Sequence, residues 1–267
     1  MRILQFIISI VACLCVVACD FSTKTGDEVN SMDMVEIQRY DRTQSLYLTT
    51  GDFSALQQMS TDFPVETRTL IEDVLKLGSV SDPDIYSRFL TFYQDSILQN
   101  IISEAESQYA NVDDLNKQFS AAFKKLKSWL PDLKIPMVYT QISALDQSVI
   151  IGESSVGISL DKYLGKDYPT YAKYYGEEQR NSMTREHILP DCISFFLLSK
   201  FPLPNFASRS QTERDTHIGK IQWVANKAMD RNFFISDYVR KVEKYVQQHP
   251  NLSIAELLRM TDYSDIK

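Results

Sequence analysis

The spacing of apolar residues points to an α+β domain that is mostly helical, with a small antiparallel sheet. Two long flanks carry apolar residues at helical spacing between capping residues, glycines and prolines. Between them, Leu133 to Phe201 holds short, closely set runs of β-branched residues, the pattern of a small meander. Such a sheet needs cover on its apolar face, and the flanking helices supply it. The 267 residues are 44% hydrophobic and 24% charged, an ordinary globular balance. The net charge of −7 speaks against a nucleic-acid partner, since no basic patch offsets phosphate charge.

The chain opens on a targeting segment. Met1 and Arg2 form a positive start, and Ile3 to Val17 is apolar but shorter than the ~20 residues a spanning helix needs. It ends in Val16-Val17-Ala18-Cys19, the pattern of a bacterial lipobox, in which the cysteine thiol takes a diacylglyceryl group before cleavage. Residues 1–18 therefore read as a lipoprotein signal peptide and Cys19 as the lipidation site, where palmitate and its companion chains anchor the protein to a membrane. An ordinary secretory signal cleaved near Ala18 would leave Cys19 as an odd exported thiol. Asp20 assigns neither membrane nor leaflet, with the outer membrane favoured. Cys13 and Cys15 leave with the signal, so Cys192 has no disulfide partner; among Ile193, Phe195 and Phe196 it reads as a buried thiol.

Residues 19–34 read as a flexible tether and residues 35–267 as a single globular domain. Val35 to Asp41 alternates and suggests a short strand, with Arg39 and Asp41 as a solvated edge pair. Asp52 is a cap for a short helix through Met59. Leu70, Ile71, Val74 and Leu75 give the next helix its apolar face, with Gly78 as its stop. Asp82-Pro83 starts another, which places Ile85, Phe89, Phe92, Tyr93, Ile97 and Ile101 on one stripe. The following helix runs from about Asn111 to Leu130, with Val112, Leu115, Phe119, Phe123 and Leu126 inward and its lysines on a solvated face. The strands follow over Ile135 to Ile142, Val149 to Ile151 and Val156 to Leu160.

Cys192 to Lys200 reads as a helix with Asp191 near its N-terminus, where a negative charge suits the dipole. Ser208 to Asp230 is one long helix, with Ile218, Ile221, Ala225 and Ala228 inward and Trp223 at its edge. Ser236 caps the next, carrying Val239, Val242 and Val246, and Ser253 with Glu256 forms a capping box for the last. Asp262 to Lys267 reads as a polar tail. There is no glycine-rich phosphate loop and no Gly-x-Ser-x-Gly elbow, so no cofactor is implied.

Several stretches resemble the gliding-motility lipoprotein B (GldB-like) family of bacteria. These are the Ile135-Pro136 strand, SVGISLDKYLGKDYPTY at 155–171, REHILPD at 185–191, the Arg39-Tyr40-Asp41 start, Ala122-Phe123-Lys124 and Ile218-Gly219-Lys220. The likeness covers roughly Val35 to Met229. It implies an envelope lipoprotein, associated in some relatives with gliding and protein secretion. With the lipobox, this run of motifs and no complete catalytic motif, the chain reads as a non-catalytic lipoprotein that binds an envelope protein partner. Asp161, Lys162, Tyr163, Gly165 and Tyr168 are its signature positions, to which the resemblance gives no chemical role; Gly165 suits a turn with positive φ.

The same family is distantly similar to zinc-dependent peptidases, a zincin-like fold whose His-Glu-x-x-His helix sets two imidazoles on one metal. This chain lacks that motif. Its histidines are His187, His217 and His249. His187 and Asp191 stand at i, i+4, as do Glu213 and His217, so a zinc site for a divergent hydrolase can be drawn from them, although Pro190 upsets the first pair. The plain reading is surface and cap residues, with no catalytic residue and no metal. A further alternative is a glycan- or peptide-binding surface built on Tyr163, Tyr168, Tyr171, Tyr174 and Tyr175.

Overall fold

The computed structural model describes residues 34–266; the signal segment, Cys19 and the tether up to Asp33 lie outside them. Among the described residues no helix is long and apolar enough to cross a membrane.

The chain enters along a helix rather than as a strand. The backbone N–H of Val35 donates to Ser120 Oγ and that of Ile37 to Asn116 Oδ1, both at 2.9 Å. With those donors engaged by side chains of a later helix, only Gln38 meets the sheet, in a single parallel bridge to Tyr139. Helix α1 (Tyr40–Thr50) begins at once. The expected solvated pair is instead an anchor. Asp41 is 1% exposed, is gripped by the Arg39 guanidinium at 2.7 Å and accepts from the Thr140 hydroxyl. An isolated buried carboxylate is costly, and these donors are what make it tolerable.

Asp52 caps α2 (Phe53–Asp62), accepting from Ser54 and Ala55 N–H. Pro64 opens α3 (Pro64–Arg68), which widens into a π turn over Thr69–Val74. The stripe from Ile85 to Ile101 is not one helix. Asp95 turns its carboxylate onto the N–H groups of Ile97 and Leu98 and starts a new one. The result is α4 (Ile85–Phe92) and α5 (Ser96–Gln108). Helix α6 (Asp113–Trp129) keeps its expected inward face, and Phe123 meets Phe196 edge-on at 5.4 Å.

The sheet is mixed, in the order β1-β3-β2, and this corrects the antiparallel meander. β1 (Met137–Gln141) runs parallel to β3 (Ser155–Ser159), and β2 (Val149–Ile151) pairs antiparallel with β3. The loop after β1 carries the chain past the adjoining position, β2 forms at the far edge, and a short turn returns β3 into the gap. β3 is buried at every residue but its first, whereas β2 is only half-buried at both ends. The most buried strand takes the centre. α1 packs on β1, and α9 (Ile188–Lys200) packs on β2 and β3.

Two short helices, α7 (Tyr171–Tyr174) and α8 (Glu177–Asn181), precede α9. Ser210 and Glu213 form a capping box that starts α10 (Gln211–Met229). Its inward face differs from expectation. Ile218 is half-buried, while His217, Lys220 and Trp223 are buried. The reason lies in α11 (Asp237–Gln248) and α12 (Ile254–Arg259), which cover α10. The Lys220 ammonium donates to the carbonyls of Leu258 at 2.9 Å and Met260 at 2.7 Å, where the end of α12 leaves acceptors open. Burial lowers its pKa to about 8. The segment beyond α12 is not a free tail, since Tyr263 and Ile266 are buried.

Helices α10 and α11 meet at Gly219. A Cβ there would lie 2.6 Å from Tyr238 Cβ and 2.8 Å from its carbonyl carbon. Backbone cannot yield as a flexible side chain would. Gly219→Ala is therefore expected to lower stability by about 1–3 kcal/mol in urea denaturation, the usual cost of overpacking. An unchanged midpoint would show that the helices separate freely there.

Candidate functional site

The site is built around the loop between β1 and β2. Ala144 and Leu145 sit there in the left-handed region, at φ 54° and 66°. Neither side chain favours it, so surrounding contacts must hold it. Asp161, in a 3₁₀ turn over Leu160–Lys162 at the end of β3, does so. Its carboxylate is fully buried and accepts the N–H of Ser143 at 2.9 Å and of Leu145 at 2.6 Å. Burial raises its pKa, against the pull of these two donors.

The remaining signature residues extend this frame. Lys162 Nζ donates to the carbonyls of Leu145 and Asp146 and lies 2.9 Å from the Tyr175 hydroxyl. Tyr175 itself donates to the Leu145 carbonyl at 2.6 Å. The Tyr163 carbonyl accepts from Tyr109, and the Tyr171 hydroxyl donates to the Asp161 carbonyl while accepting from Leu164 N–H. Gly165 sits at φ 105° with nothing within 4 Å of a would-be Cβ, so backbone conformation rather than space makes glycine suitable there. Tyr168 packs edge-on against Tyr171 at 5.1 Å.

Three cavities adjoin this segment. One of about 210 Å³ is lined by Lys162, Tyr163, Tyr175 and Asp191 with Ser148, Gln179, Ser182 and Met183. A wider groove of about 760 Å³ lies on the other side of Tyr163 and runs past Gly165 and Tyr168 to Arg185. The third, about 610 Å³, is walled by Tyr175, Tyr174, Leu145, Phe92 and Leu98.

Asp191 is the functional group that no local sequence signal announces in this role. It lies in the first turn of α9, as expected, but its Oδ2 accepts from the Tyr163 hydroxyl at 2.9 Å, across 28 residues of chain. Burial pushes its carboxyl up from 3.8 to about 6, and the tyrosine only partly opposes this.

The residues that could be drawn as a zinc site do not converge. His187 Nδ1 faces Thr184 Oγ1 at 2.9 Å, and its ring packs on Phe233. His217 pairs with the Tyr263 hydroxyl at 2.7 Å, and burial lowers its pKa to about 4. Glu213 is held by Ser210 and Arg209. Among the described residues no three His, Cys, Asp or Glu side chains stand together as ligands. The tyrosine surface also does not form. Tyr163 and Tyr171 are buried, Tyr168 and Tyr175 are half-buried with their rings packed inward, and of the five only Tyr174 is broadly exposed. Cys192 is buried, as its neighbours imply.

Two substitutions test this frame. Asp161→Ala strands the N–H groups of Ser143 and Leu145 and is expected to cost about 3 kcal/mol in chemical denaturation. A loss below about 0.5 kcal/mol would mean that the loop holds itself. For Asp191, the raised pKa means that the fold favours the protonated acid. That stabilising contribution is complete below about 3.8 and is lost as pH rises through about 6. Asp191→Asn should therefore melt above the parent at pH 7.5, by on the order of 2 kcal/mol after allowing for solvent at the cavity, and the gap should close at pH 4. A gap of equal size at both pH values would sink the assignment.

The family model described as gliding motility protein GldB matches residues 22–232. No curated protein and no solved structure matches the chain. The matched span holds the three strands, the whole signature segment, all three adjoining cavities and α9 with Asp191. It covers well over half of the chain, and the chain accordingly belongs to the gliding motility protein GldB family.

Proposed function

We propose that this chain is a lipid-anchored protein of the bacterial cell envelope that binds a protein partner and catalyses no reaction of its own, in service of gliding or secretion. The observation that carries the reading is how the signature residues are engaged. Asp161 and Lys162 hold the Leu145 loop, Tyr163 braces Asp191, and Gly165 turns the chain towards Tyr168. A nucleophile would need a base within reach and an orienting group behind that base. These residues instead fix the walls of adjoining concavities of mixed polarity, which suit a bound polypeptide segment. The family supports an envelope setting. Val16 to Cys19 supports attachment by acyl chains, two or more of which anchor stably.

The test uses the full chain in cells. A photoreactive residue in place of Tyr174, the exposed ring beside the 610 Å³ cavity, should capture a discrete envelope protein on irradiation. Cys19→Ala should abolish palmitate labelling and release the chain from the membrane fraction. Capture of nothing, under conditions that trap known envelope complexes, would overturn the partner-binding reading.

A further inference from the structure

We propose that the cavity of about 210 Å³ behind Tyr163 receives a protonated nitrogen, the ammonium or guanidinium at the tip of a lysine or arginine side chain of the partner, with Asp191 as its counter-charge. This rests on the partner-binding reading and names the chemistry that one cavity would recognise.

The pairing of Asp191 is incomplete. Asp191 is half-buried, and its carboxylate opens onto the cavity with no positive charge paired to it among the described residues. Asp191 has one donor, the Tyr163 hydroxyl on Oδ2. Its Oδ1 accepts from no described residue, and the side chain lines the cavity. Asp41 shows what a completed pairing looks like in the same fold, with Arg39 on both oxygens and Thr140 as a further donor. Asp191 lacks the equivalent of that arginine.

The one cation on the cavity wall does not fill the place. Lys162 donates to Leu145 O, Asp146 O and Tyr175, and its Nζ sits 4.4 Å over the Tyr175 ring. The acidity of Asp191 is set by burial and by Tyr163, without a contribution from Lys162. The other titratable groups near it are Tyr163 and Tyr175 on the wall and the buried thiol of Cys192, and burial pushes Tyr163 and Cys192 up, away from their charged forms.

Size and lining narrow the ligand. A volume of about 210 Å³ falls below the ~300–1,000 Å³ typical of pockets for whole small molecules, yet holds several waters or one long side chain. Tyr163, Tyr175 and Met183 put apolar surface on the cavity wall, and Ser148 and Gln179 put polar groups there. A side chain with an apolar stem and a cationic tip matches this mixed lining and the carboxylate of Asp191.

The test is calorimetric titration of N-acetyl-lysinamide and N-acetyl-argininamide into the full mature chain in detergent, with N-acetyl-norleucinamide as the uncharged control. At pH 7.5 at least one cationic amide should bind with a Kd of about 1 mM, and at least tenfold more tightly than the control. Asp191→Asn, whose folding is checked by its melting curve, should weaken that binding about tenfold or more. Lowering the pH to 5, which protonates Asp191, should weaken it in the parent and leave the variant unchanged. Absence of binding, equal binding of the norleucine amide, or undiminished binding to the variant would each overturn the proposal. Photocapture separates it from the reading on which it rests. A partner still captured while the titration fails would leave that reading standing and remove only the cation site. A positive titration with no captured partner would make the ligand a free amine and overturn its assignment to a partner.

Discussion

The buried carboxylate of Asp161 is the constraint on which the site depends. It sits at the end of the central strand and reaches across to the loop that follows β1. Two consecutive residues of that loop adopt a conformation that neither prefers, and each such residue costs roughly 1–3 kcal/mol in isolation. Hydrogen bonds from the Ser143 and Leu145 N–H groups to the carboxylate offset that cost, because at a site closed to water no other acceptor competes for those donors. Once Leu145 is fixed, its carbonyl collects Lys162 and Tyr175, and Tyr175 in turn forms the shared wall of two cavities. The loop that Asp161 secures is also the one that carries the chain past a strand position to β2.

Other buried polar groups use the same logic with different partners. Gln44 spans the Ile142 backbone with both ends of its amide, and Tyr93 adds a second donor to the same carbonyl. Each of these side chains satisfies backbone that a regular sheet would have paired, where the strand is too short to do so. Helix α1, and α4 through Tyr93 at its C-terminal end, are thereby fastened to the loop by hydrogen bonds.

Much of this was legible in the residues and some was not. Asp52, Ser236 and the Ser253–Glu256 box mark helix starts because capping is local, a matter of two or three residues. The three strands stand where β-branched runs place them, but their order does not follow from the runs, because pairing depends on what the intervening loop can reach. The stripe from Ile85 to Ile101 hid a break, since periodicity continues across a capping residue that restarts the helix. Asp41 looked solvated because its type is usually exposed, and one of the two partners that make its burial tolerable, Thr140, lies 99 residues away. The signature segment was identifiable as a unit. Its engagement with Asp191 was not, because a hydroxyl–carboxylate pair 28 residues apart leaves no pattern along the chain.

The Lys220 contact bears on where the fold can be cut. The family match ends at residue 232, which suggests a natural boundary there. Yet the acceptors for the Lys220 ammonium are carbonyls of Leu258 and Met260, well past that point. Removing the last two helices would take away both acceptors of the Lys220 ammonium and uncover the face of α10 that they shelter. The limits of sequence similarity and the limits of the folding unit are, at this end of the molecule, different places.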